Sequence, residues 1–194
     1  MKTKLISFVV SIALACVYVA CQKSRSIRPI APGALPSTVL QPFLDNRLSR
    51  VLAPLDAPGL KHPEAVADLR GSITDAMNKA PAAQRDAFQA ALAVCDVLSQ
   101  AVDERQRYLA SYQGSQRLSH YKDVKRAPLK HMPPELKDAQ TNAYYANLAQ
   151  NNAFNTQAYY TQWLQRSAEL RQQIEQLYTR ERETEAQLKQ SPGS

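Results

Sequence analysis

PELKDAQTNAYYANLAQNNAFNTQAYYTQWLQRSAELRQQIEQLYTRERETEAQLK, residues 134–189, contains no glycine and no proline after its first residue. At about 100° per residue, Tyr145, Leu148, Tyr159, Trp163, Leu170, Ile174, Leu177 and Leu188 fall within about 80° of arc. The phase holds from end to end. It predicts one helix of about 56 residues, about 84 Å long. Such a length belongs to a coiled coil or a long hairpin rather than to a compact small domain. The stripe turns polar at Asn152 and Thr156. A buried amide there costs stability and can fix register with a partner helix.

Residues 139–165 within this helix carry no charged side chain. The segment repeats loosely, with Asn142-Ala143-Tyr144-Tyr145 answered by Gln157-Ala158-Tyr159-Tyr160. Tyrosine and tryptophan bury area at low entropic cost, so Tyr144, Tyr160, Asn147 and Asn151 are the candidate partner-binding residues. Tyr145, Tyr159 and Trp163 are expected to serve the core, whereas Tyr144 and Tyr160 lie towards its edges. Beyond residue 165 mixed charges take over, as on a solvated helix surface.

Working backwards, residues 114–133 are expected to form a basic connector carrying Arg117, Lys122, Lys125, Arg126 and Lys130 against Asp123. Before it, Phe88, Ala91, Cys95, Leu98, Val102, Leu109 and Tyr112 recur at three- and four-residue steps. They predict a helix over 82–113, opened by Pro81 and ended by Gly114. Two shorter helices precede it. Ser37 is expected to cap the first, with Leu40, Leu44, Leu48, Val51 and Leu55 as its stripe and Pro54 and Pro58-Gly59 as its stop. Pro63 opens the second, with Val66, Leu69, Ile73 and Met77 facing inward. Residues 22–36, with three prolines and three basic residues, read as an extended tether.

The composition agrees. Ala (28), Leu (21) and Gln (18) dominate the 194 residues, and beyond residue 21 only seven Val and four Ile remain. This excludes a β-sandwich or a parallel sheet, which need β-branched runs. The expected fold is all-α: an elongated helical hairpin or coiled coil, its very long C-terminal helix pairing antiparallel with the 82–113 helix. Two short N-terminal helices cover one end, and residues 37–194 form a single domain.

The N-terminus carries the clearest functional signal. Lys2 and Lys4 precede the uncharged run Leu5–Ala20, and Cys21 follows at once. A basic start, an apolar run and a small residue before the cut describe a signal peptide over 1–20. At about 24 Å the run is shorter than the ~30 Å of a bilayer core. Ala20-Cys21 resembles the end of a bacterial lipoprotein signal peptide, whose cysteine receives the lipid. Ala15-Cys16 is a poorer second candidate, and an uncleaved anchor is the other alternative. The resemblance covers residues 1–21 alone. It implies lipidation of Cys21 by diacylglycerol and an N-acyl chain such as palmitate, enough hydrocarbon for stable anchoring. It places the chain in a bacterial cell envelope, on the periplasmic face of either membrane or at the cell surface. Cys95 is then the one remaining thiol, so no internal disulfide forms.

Sites for chemistry are not expected. Cys95 sits on an apolar stripe, away from any glycine turn, which describes a buried thiol rather than a nucleophile working with His120 or His131. His62, His120 and His131 lack ligand spacing, so neither metal nor cofactor is implied. Asp103-Glu104 and Glu181, Glu183 and Glu185 stand among Arg105, Arg107, Arg180 and Arg182, as on an ion-paired helix surface. The net charge of +7 suits lipid headgroups, a lipopolysaccharide-like surface or an acidic protein patch. Export and the absence of a recognition motif argue against nucleic acid.

The expected function is that of a non-enzymatic envelope lipoprotein serving as a scaffold, adaptor or assembly factor. Its partners would be the membrane, through the lipid, and an envelope protein or a second copy. The alternative is a binding module for a cell-wall or lipid ligand, with an aromatic groove between Tyr144 and Trp163.

Overall fold

The computed structural model describes residue 27, residues 29–119 and residues 134–190, with the side chains of 118, 119, 134–141, 145 and 149 outside the description. The signal segment, Cys21, and the connector residues His120, Lys122, Lys125, Arg126, Lys130 and His131 lie outside the described residues. Four α-helices follow in order: α1, Ser37–Val51; α2, Glu64–Lys79; α3, Arg85–Ser119; and α4, Pro134–Gln190. A short 3-10 turn, Ala82–Gln84, leads into α3. No strand occurs among the described residues, and the fold is all-α. No described helix is long and apolar enough to cross a membrane.

The long hairpin is the frame. Glu104 pairs with Arg166, Tyr108 meets Trp163 and Tyr112 meets Tyr160, so α3 and α4 run antiparallel. Their shared core is Phe88, Ala91, Val94, Cys95, Leu98, Ala101 and Val102 against Trp163, Leu170 and Ile174, all buried. α2 folds back on α3 through Val66, Leu69 and Ile73, all but fully buried. α1 adds Leu40, Phe43, Leu44 and Val51 to the same cluster. The expected apolar stripes therefore form one contiguous core.

Three local expectations are corrected. Gly114 does not end the third helix, which continues to Ser119. A mid-helix glycine costs about 1 kcal/mol, and packing of Tyr112 and Ser115 beside it offsets that cost. Arg117 thus stands exposed on a helix rather than in a connector. The segment ahead of α1 is not wholly a free tether, because Ile27 and Ile30 pack against the core. Gly33, at φ 80°, makes the turn that Ala34 N–H closes onto Ala31 O. Finally, Ser37 does not cap its own helix. Its N–H and Oγ both donate to Glu185, near the far end of α4.

The loop between α1 and α2 is tied down from inside. Arg105, 6% exposed, donates to the carbonyl oxygens of Ala53, Pro54 and Ala57. Trp163 Nε1 donates to the same Ala53 oxygen at 2.9 Å. Gly59 passes so close to the guanidinium that a Cβ there would collide with it. Arg105 is therefore an interior staple and not part of an ion-paired surface. Burial holds its pKa below the ordinary value, and the three carbonyl oxygens are its partners.

Candidate functional site

The cross-helix pairs fix the register of the hairpin. Extended along both helices, they set Ser119, the last described residue of α3, opposite roughly Asn152 of α4. The first 18 or so residues of α4 therefore run about 27 Å past the described end of their partner. This arm and the turns just after it hold most of the uncharged stretch.

Tyr144, Asn147, Asn151 and Phe154 share one face there, within about 80° of arc and about 140° around the helix from the Trp163–Ile174 stripe. Tyr144 is 63% exposed and Phe154 75%, and Asn147 and Asn151 are exposed between them. The face mixes two aromatic rings with amides and carries no charge. Such a surface loses little desolvation energy when it is covered and can still form hydrogen bonds. Phe154 escaped the sequence reading because it lies off the apolar stripe. An unpaired Phe within an uncharged polar segment was the signal available.

Tyr160 does not join this face. Its ring packs against Tyr112, centroids 6.0 Å apart, and its hydroxyl is 3.5 Å from Asp56 Oδ1. Desolvation, with the Asp56 carboxylate beside it, raises its pKa. Tyr160 links the hairpin to the α1–α2 loop. Trp163 is fully buried against Tyr108, as expected of a core residue. A groove lined by Trp163 is therefore ruled out. Two shallow cavities lie elsewhere, along α4 between Gln172 and Glu183, and the larger, about 390 Å³, is lined by polar side chains alone.

The polar seam at Asn152 and Thr156 is buried at the hairpin interface. Asn152 is 5% exposed, and neither its Nδ2 nor Thr156 Oγ1 has a hydrogen-bond partner among the described residues. Nearby, Arg166 bridges Glu104 across the helices at 2.8 Å and Glu169 on its own helix at 2.9 Å. The Arg166 guanidinium holds the Glu104 carboxyl below its ordinary range.

The remaining groups offer little reactivity. Cys95 is fully buried, and burial pushes its thiol up to about 12. It is a packed thiol and not a thiolate at neutral pH. His62 Nδ1 lies 2.9 Å from Glu64 on an exposed loop. Among the described residues no group of three or more His, Cys, Asp and Glu could hold a metal ion.

Glu181 and Glu185 are the groups that sequence reasoning misplaced. Both were expected on a solvated surface, yet Glu181 is 0% exposed and Glu185 2%. Neither Glu181 oxygen has a donor aimed at it, and burial beside the Glu185 carboxyl pushes its pKa up to about 9. They fall on the same helical phase as Trp163 and Ile174, which was the signal that their charge obscured.

No protein-family model matches the chain, and no curated protein or solved structure is measurably similar to it.

Proposed function

We propose that this chain is an exported bacterial envelope lipoprotein, held at a membrane by lipid on Cys21, and that it works without catalysis as a scaffold or adaptor. The observation that carries the reading is the exposed face Tyr144–Asn147–Asn151–Phe154, borne on a helical arm that outruns its described partner. Its mechanism is positional. The lipid fixes one end, the α1–α4 body sets distance and direction, and the uncharged face makes the contact. Aromatic rings supply the buried area and the two asparagines supply directional hydrogen bonds. The face is convex, since it lies on one helix, and this favours a protein surface over a small ligand.

Photo-cross-linking in cells from a benzoylphenylalanine at position 151 tests the reading. Repeated capture of one envelope protein is expected, and its loss when Tyr144 and Phe154 are both changed to Ser. Labelling of glycan alone, or capture that ignores those two changes, contradicts it.

A further inference from the structure

The last turns of α4 hold an arrangement that the adaptor reading does not use. Glu185 Oε1 accepts the Ser37 N–H at 2.9 Å, and Glu185 Oε2 accepts the Ser37 hydroxyl at 2.7 Å. Pro36, at the N-cap position, offers no side-chain cap, so a carboxylate from the opposite end of the sequence caps α1 instead. One turn earlier on α4, Glu181 is completely buried, and no donor serves either of its oxygens. An ionised carboxylate in that position would be desolvated and uncompensated. A protonated one can donate to its neighbour, Glu185, and leave that neighbour charged to hold Ser37.

The charges around the pair permit this. On α4 itself Arg182 and Lys189 act on Glu181 and Glu185, and Tyr178 lies one turn before them. From α1 the facing groups are neutral Ser37 and, beside Tyr178, Asp45. The 3-10 turn against α4 brings Gln84, whose buried Oε1 also lacks a donor, and the following Arg85 and Asp86 are exposed. Arg182 is exposed and spends one N–H on Gln41.

We propose that Glu181 and Glu185 share a single proton and, in that state only, latch the first turn of α1 to the end of α4. Loss of the proton to hydroxide leaves two adjacent buried carboxylates. Their repulsion, with the desolvation of Glu181, drives the last turns of α4 outward and releases Ser37. The latch sits where the N-terminal segment enters the body, so its state sets how firmly that segment is held.

Carbon-13 NMR of the full chain in detergent micelles tests the latch, following Glu181 Cδ and Ser37 Cβ from about pH 5 to about pH 10.5. Glu181 Cδ is expected to titrate near 9, with Ser37 Cβ moving at the same midpoint. Glu181→Gln, which mimics the protonated acid, should abolish the Ser37 step. Glu185→Gln should hold Ser37 Cβ at its high-pH position throughout. A Glu181 midpoint below about 6, a Ser37 step that ignores Glu181, or a step that survives Glu181→Gln overturns the proposal. Should Glu181→Gln lose its helical circular dichroism, coincidence of the two wild-type midpoints supports the latch and their separation refutes it.

Discussion

Arg105 Nε donates to the carbonyl oxygen of Ala53 at 2.9 Å, across 52 residues of chain. One side chain of the hairpin thereby holds the loop that separates the two short helices. Replacing Arg105 with Met keeps much of the apolar stem but strands three carbonyl oxygens. A loss of about 2–4 kcal/mol is expected in urea unfolding. Gly59→Ala should also destabilise, by about 1–3 kcal/mol, because the new methyl displaces the guanidinium. The two effects should not add. In the Arg105→Met background Gly59→Ala should cost about 1 kcal/mol less, whereas full additivity would show that the two positions do not touch.

Stability should depend on pH with an unusual optimum. Glu104 and Glu185 have lowered pKa values, so their contribution is present above the ordinary 4.5 and lost as pH falls through their folded values. Glu181 has a raised value, so its contribution is complete below 4.5 and lost progressively as pH rises to about 9. The melting temperature should therefore peak near pH 4.5–5 and decline through neutrality. Glu181→Gln should flatten the alkaline decline and raise the melting temperature at pH 8 by several degrees. A wild-type profile level from pH 5 to 9 would contradict this.

Cys95 should resist alkylation in the folded protein. Its thiol is buried and held protonated up to about 12, so iodoacetamide at neutral pH should modify it only on unfolding. Peptide mapping after a timed pulse, with and without denaturant, reads this directly. Labelling of native Cys95 within minutes would show that the α2–α3 core opens.

Tyr144→Ser and Phe154→Ser should leave stability within about 0.5 kcal/mol of wild type, since both rings are mostly exposed. Trp163→Ala should instead cost about 3–5 kcal/mol, because it empties a core position and frees the Ala53 oxygen. Chemical denaturation separates the two classes. Equal costs would mean that the arm is as firmly packed as the body.

The helices were legible in the sequence wherever apolar residues alone keep the period. Leu170, Ile174 and Trp163 lie on the buried face of α4 as their spacing demands. Charge hid the rest. Arg105 sits inside Asp103-Glu104-Arg105-Gln106-Arg107, and nothing local distinguishes the one residue whose phase points inward. Glu181 and Glu185 are concealed in the same way, since their partners, each other and Ser37, become visible only when the ends of the chain meet. Gly114 misled because local propensity favours a helix stop there, and packing across the hairpin outweighs it. For the binding face, Tyr144, Asn147 and Asn151 were found together by composition. Tyr160 was misjudged because its contacts, Tyr112 and Asp56, are long-range.

Mass spectrometry of the mature N-terminus tests the central claim most directly. The account expects the chain to begin at Cys21, bearing a thioether-linked diacylglycerol and an N-acyl chain. A mature chain starting at an unmodified Gln22, or one that retains Met1, would contradict it.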